Sequence, residues 1–178
     1  PHESTVHVGA RSLHKRPAAS VTVEEDPRDL MAAISTFGSA LKTTSCERSY
    51  PTLRGHPPTI RLGDGLSVPP VISTPDTGVT IEVPPTFESV FPLATLAYYT
   101  GAEVVPGTDP RIVTDRGFVH DLGDSAHGFE TEIERTLKRV FFLDCLTRTE
   151  GLYQVDLHER NAVEEVIDLD FPALYEVP

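Results

Sequence analysis

The chain has 178 residues, 39% of them hydrophobic and 24% charged, the balance of a folded globular domain rather than of a disordered chain. Asp and Glu number 27 against 15 Lys and Arg, for a net charge of −12, and a surface that negative repels nucleic-acid backbones and anionic lipid. No apolar run approaches the roughly 18 residues of a membrane-spanning helix, and two cysteines, Cys46 and Cys145, exclude a disulfide scaffold or a four-cysteine zinc site.

Residues 1–19 hold His2, His7, His14 and a basic cluster of Arg11, Lys15 and Arg16. They are expected to form an irregular N-terminal arm, with Val6 and Val8 alternating as in a short strand. Ser20-Val21-Thr22-Val23 alternates as a strand should. Asp26-Pro27 supplies an N-cap and a proline for the first turn, and Leu30, Ile34, Phe37 and Leu41 then form one apolar stripe. The spacing predicts an amphipathic helix ending near Thr43. Residues 45–58, rich in Pro and Gly, are a loop. Thr59 to Leu62 is a short strand and Gly63-Asp64-Gly65 a turn. Two prolines make Val68 to Ser73 at best an edge strand.

Pro75-Asp76-Thr77-Gly78 is a turn, and Val79 to Val83 a clear strand. Thr86 to Thr100 is helical in pattern and apolar nearly all round, with a break at Pro92 and Gly101 just past its end. Ala102 to Val105 is the next strand, so strand, buried helix and strand make a βαβ crossover. Arg111-Ile112-Val113 and Phe118-Val119-His120 flank a polar turn and predict a hairpin. The longest helix runs from Phe129 to about Thr149, its stripe being Phe129, Ile133, Leu137, Val140 and Phe141. Tyr153, Val155 and Leu157 alternate as a strand, with a helix as the competing assignment, and Asn161 to Ile167 is helical. The sum is a single α/β (or α+β) domain over 1–178, with a mixed sheet, a βαβ crossover, a hairpin and packed amphipathic helices. The stripes at 30–41 and 129–141 are expected to dock on a common β layer. The acidic groups are expected to coat its outside, with Arg135, Arg139, Arg148, Glu132, Glu134 and Glu150 on a solvated helix face.

The densest polar cluster is His120-Asp121-Leu122-Gly123-Asp124-Ser125-Ala126-His127. His120, Asp121, Asp124 and His127 are candidate ligands of a divalent metal, because imidazole and carboxylate suit zinc and its neighbours. The bland alternative is a solvated loop in which Asp and Ser cap the helix that follows. Cys145 and His158 are the candidate nucleophile and base, although a cysteine inside Phe141-Phe142-Leu143-Asp144-Cys145-Leu146 is more often packing. Asp76-Thr77-Gly78 matches the aspartic-protease triplet, but that chemistry needs two such carboxylates and no second copy exists. Gly63-Asp64-Gly65 lacks the third glycine and the helix of a dinucleotide site. No cofactor is implied beyond a divalent ion at the 120–127 loop.

Lysine is confined to Lys15, Lys42 and Lys138, whereas arginine occurs 12 times. Carboxylate-rich, lysine-poor surfaces suit molar salt, where the Debye length shrinks to about 3 Å and self-repulsion fades. Pro92-Leu93-Ala94-Thr95-Leu96-Ala97-Tyr98-Tyr99-Thr100-Gly101-Ala102 and Val140-Phe141-Phe142-Leu143-Asp144-Cys145-Leu146-Thr147-Arg148-Thr149-Glu150-Gly151 resemble segments of uncharacterised conserved proteins of halophilic archaea. The resemblance implies a cytoplasm at molar salt and a parent protein longer than this chain, and carries no activity. Pro1 without a preceding Met, and the helix start at Asp170-Phe171-Pro172 with only eight residues left, also lead to the expectation of an excised piece.

The function expected from these features is a non-catalytic scaffold or protein-interaction domain of a larger halophilic cytosolic protein. Its partners would be the rest of its own chain, another protein, or a second copy. The alternatives are a hydrolase-like enzyme using the 120–127 loop, and a small-ligand sensor with a pocket beside residues 90–99.

Overall fold

A computed structural model of the chain describes residues 16–123, 126, 128–148 and 157–168. Within them the predicted alternation makes β1 (Ser20–Val23), with Val21 and Val23 buried. Helix α1 (Pro27–Ser35) starts where the chemistry puts it: the Asp26 carboxylate accepts from the Arg28 N–H at 2.7 Å, and Pro27 fills the first position. It ends earlier than the apolar stripe suggests. The Ser35 hydroxyl donates to the Met31 carbonyl at 2.8 Å and the Thr36 hydroxyl to Ala33 at 2.6 Å, and the chain tightens into a 3₁₀ turn over Thr36–Ala40. Hydroxyls competing for backbone carbonyls, with Gly38 behind them, weaken the α form.

Two further 3₁₀ turns, Cys46–Ser49 and Pro51–Leu53, shape the predicted loop. It leads to β2 (Thr59–Leu62), which pairs parallel with β1 in the register Ser20↔Thr59 to Val23↔Leu62. The stretch Val68 to Ser73 forms no strand, as prolines withhold ladder donors. Only Ser67, just before it, bridges to Thr22 on the other side of β1.

The crossover runs from β3 (Val79–Val83) through α2 (Phe87–Val90), a 3₁₀ turn at Phe91–Leu93 and α3 (Ala94–Thr100) to β4 (Glu103–Pro106), parallel to β3. Pro92 divides the helix as expected, because it has no N–H to continue the ladder. The hairpin is β5 (Arg111–Thr114) with β6 (Val119–Asp121), and β5 lies antiparallel to β3. The four strands stand in the order β4-β3-β5-β6. The architecture is therefore α/β with a mixed sheet, as predicted, but the strands divide into two sheets. Helices α4 (Phe129–Thr147) and α5 (His158–Glu164) complete it. No helix among the described residues is long and apolar enough to cross a membrane. The strand predicted at Tyr153 to Leu157 falls outside the described residues except for Leu157, which precedes α5. Residues 1–15 of the arm and the Asp170-Phe171-Pro172 start also lie outside.

Leu30, Met31 and Ile34 of α1 join Ile81, Val83, Val104 and Ile112 of the sheet, Val90, Leu93 and Leu96 of the crossover and Ile133 of α4 in one buried cluster, against which Phe37 and Leu137 pack. The two predicted stripes thus do share a β layer along most of their length. Ala33, on the other side of α1, packs with Val21 and Val23 against Ile60 and Ile72. One short helix is therefore buried on two sides and holds both sheets. It also closes an edge: the Val104 N–H, on the outer side of β4, donates to the Ser35 hydroxyl at 2.9 Å.

Gly101 ends α3 in the left-handed region, at φ 67°, and its carbonyl accepts from the Thr77 hydroxyl at 3.2 Å. A Cβ there would lie 2.9 Å from Thr77 Cγ2. Gly101→Ala is therefore expected to lower the unfolding free energy by about 1–2 kcal/mol or somewhat more, the left-handed cost plus the clash. Urea unfolding measures it, and an unchanged midpoint would contradict the assignment.

Candidate functional site

The polar groups that the fold brings together lie where α4 meets the segment of 3₁₀ turns. Asp144 is buried, although it sits in the middle of an acidic chain. One carboxylate oxygen, Oδ2, accepts from the Tyr99 hydroxyl at 2.7 Å and from Arg48 Nε at 2.7 Å, and Oδ1 lies 3.4 Å from Arg48 Nη2. The Arg48 guanidinium also stands 5.2 Å from the centre of the Tyr99 ring. Arg54 lies over the same ring at 5.6 Å and over Phe141 at 5.9 Å, while Arg148 stacks on Tyr50 at 4.1 Å. Burial and the Asp144 carboxylate push the Tyr99 phenol far above its ordinary range, so it remains a donor at any physiological pH.

This cluster overturns the expectation that acidic groups only coat the outside. Glu134 behaves as expected, in an exposed pair with Lys138. Glu132 and Asp144, on the same helix, are buried, because α4 is packed both by the hairpin and by the Cys46–Ser49 turn. Neither Arg48 nor Asp144 is marked by a motif, while Tyr99 of the apolar helix fits core packing with a satisfied hydroxyl. The signal was present in Phe141-Phe142-Leu143-Asp144-Cys145-Leu146, where a carboxylate interrupts an apolar run and so requires a buried partner.

His120 sits on β6, across from Ile112. Its Nε2 is 3.2 Å from both the buried Glu132 carboxylate and the Thr136 hydroxyl of α4. The carboxylate also receives Arg139 Nη1 at 3.3 Å. Asp121 Oδ1 accepts from the Gly123 N–H at 2.7 Å, which tightens the start of the loop. Asp124 and His127 lie outside the described residues. Among the described residues no three metal-ligating side chains gather, and the partner the structure gives His120 is one the sequence did not suggest. Chemically, His120 and Glu132 form an imidazole oriented by a carboxylate, the base half of an acid–base site.

Cys145 lies half-buried on α4 beside Ser49, and no hydrogen bond joins its thiol to His158, which is exposed at the start of α5. Burial pushes the Cys145 thiol up, and burial with the neighbouring Glu47 and Asp144 carboxylates does the same for Cys46. Both therefore stay protonated at neutral pH. Asp76 of the protease-like triplet accepts from the Gly78 N–H at 3.1 Å, the hydrogen bond of a turn.

A cavity of about 170 Å³ lies among Ala19, Ala40, His56, Pro58 and Ile72. An open groove of about 450 Å³ runs between α1 and β4. Neither borders residues 90–99, whose Val90, Leu93, Leu96 and Ala97 are fully buried in the core. No family model matches the chain, and no curated protein or solved structure matches it either.

Two outcomes follow for this region. Asp144→Asn should cost about 3 kcal/mol, because Arg48 loses its counter-charge in a half-dry setting. Tyr99→Phe should cost about 1.5–2 kcal/mol, the range of a hydrogen bond to a charged group. Denaturant titration of both variants decides it; losses below about 0.5 kcal/mol would make the cluster a surface pair. Separately, both thiols should react with iodoacetamide at pH 8 more slowly than free cysteine, with the difference abolished by urea. Equal rates before unfolding would show an accessible, activated thiol.

Proposed function

We propose that the chain is a non-catalytic protein-interaction domain of a larger, halophilic cytosolic protein. The observation that carries this is the state of its sheet edges. β4 is closed by Ser35, and β1 is flanked by β2 and by Ser67. β2 pairs with β1 alone among the described residues. The Thr59 and Gly63 N–H groups point to Ala19 and Val23 of the β1 side, which turns the Ile60 and Leu62 backbone groups outward. At that open edge Leu62 is exposed by 75%. An open strand edge that also exposes a large apolar side chain is a template for another chain. The buried Asp144 carboxylate, by contrast, is spent on Arg48 and Tyr99, as a structural group is.

A photo-crosslinking residue at Leu62 tests this in cell extract at molar KCl. It should capture a protein chain, whether a second copy or another protein, whereas the same residue at Thr95, exposed on α3, should not. Equal yields at the two positions would remove the docking edge. The halophilic part has its own measurement. Stability in denaturant should rise from dilute buffer to molar KCl, because salt screens the repulsion among 27 carboxylates. Full stability in dilute buffer, unchanged by salt, would refute it.

The His120–Glu132 pair supports a second function, a hydrolase-like enzyme using the 120–127 loop. Elemental analysis of protein purified without nickel chromatography separates the two. A stoichiometric divalent ion lost on His120→Ala would favour the enzyme; absence of any ion would remove its metal-dependent form.

A further inference from the structure

We infer that the face of α4 carrying Phe141, Asp144 and Arg148, together with the 3₁₀ segment packed on it, binds a ligand bearing oxyanion groups, phosphate or carboxylate. Three arginines lie along this face. Arg48 is committed to Asp144. Arg54 is held over Tyr99 and Phe141, and Arg148 over Tyr50. A ring occupies the face of a guanidinium and leaves its N–H edge, the edge that grips an oxyanion in two parallel bonds, unspent. For Arg54 no hydrogen bond or ion pair to that edge exists among the described residues. Arg148 spends one donor, Nη1 to the Ser49 hydroxyl at 3.3 Å, and its Nε is buried with no acceptor. Buried N–H groups are normally satisfied, so this side chain gains by turning its edge to an incoming acceptor.

The chain is rich in carboxylates, yet among the described residues none pairs with these two edges. Asp144 is taken by Arg48 and Tyr99, and the Glu47 carboxylate receives the Ser45 hydroxyl. Arg54 lies at the Phe141 end of the face and Arg148 two turns further along, a separation on the order of 10 Å. That spacing suits a ligand with two anionic groups better than a single small ion. The inference is independent of the β2 edge and survives if that edge binds nothing.

The test is a titration of the full chain with pyrophosphate, and in a second arm with citrate, at the KCl concentration that keeps it folded. The readout is the NMR signal of each arginine Nε–H. Saturable shifts should be confined to Arg54 and Arg148, with Arg61 and Arg116, both exposed, as internal controls. Arg54→Gln and Arg148→Gln should each weaken binding by about tenfold or more, and Arg54→Lys should weaken it too, since charge without a planar edge is not enough. Response to pyrophosphate alone would assign a phosphate ligand, and response to citrate alone a carboxylate ligand. No saturable shift with either anion by about 20 mM, or equal shifts at Arg61 and Arg116, would overturn the inference. The wild-type readout decides even if a variant fails to fold.

Discussion

The contact on which the C-terminal half of this molecule turns is the buried carboxylate of Asp144. It ties three parts of the chain that share no secondary-structure ladder: the Cys46–Ser49 turn through Arg48, the crossover through Tyr99, and α4 itself. Removing a carboxylate from water is costly, and the position is kept because two strong donors converge on a single oxygen. The arrangement also answers how a loop with four prolines and glycines between residues 45 and 58 can be ordered without a strand of its own. Its stability is borrowed from side chains: Arg48 on Asp144, Arg54 on Tyr99 and Phe141, and the Tyr98 hydroxyl on the Gly55 carbonyl at 2.7 Å.

The large sheet depends on a different economy of contacts. Nine residues of α1 present Leu30, Met31 and Ile34 to one sheet and Ala33 to the other. The small side chain at position 33 lets the two-stranded sheet come close, and the larger ones fill the main core. With both flanks occupied, α1 has no freedom to be displaced, and its last turn can spare the Ser35 hydroxyl for the edge of β4. A strand edge closed by one hydroxyl is an economical defence against unwanted pairing. It makes the edge of β2 stand out, for among the described residues one edge is closed and the other is not.

Local order was legible in the sequence wherever it has a local cause. The Asp26-Pro27 start, the break at Pro92, the Gly101 stop and the 111–120 hairpin all depend on residues within a few positions of each other. Each appears where the side-chain chemistry puts it. The end of α1 was legible only in part, since the apolar stripe runs on to Leu41 while the hydroxyls of Ser35 and Thr36 turn the backbone first. The division into two sheets was not legible, because β1 and β3 have the same alternating pattern and their partners are set by long-range packing. Nor was the site. Arg48 and Asp144 are 96 positions apart, and Glu132 meets His120 only because α4 crosses the hairpin. Sequence spacing groups His120 with Asp121, Asp124 and His127, the last two of which lie outside the described residues; it does not suggest Glu132 and Thr136, which the fold brings to His120.

Charge and contact geometry can be joined in one further step. If the chain works at molar salt, fields reach about 3 Å and no farther, so an acidic coat neither steers partners nor repels them. Recognition must then come from interactions that act at contact. The surfaces singled out above have that character: an apolar strand edge, whose attraction salt does not screen and strongly excluded salts strengthen, and guanidinium edges fixed in place by aromatic rings, whose bidentate bonds are directional rather than long-ranged. The choice of arginine over lysine at positions 48, 54 and 148 fits the same condition. A planar, weakly hydrated cation can stack on Tyr99, Phe141 or Tyr50 and still offer donors, whereas an ammonium would keep its water and lose most of its pull to the salt.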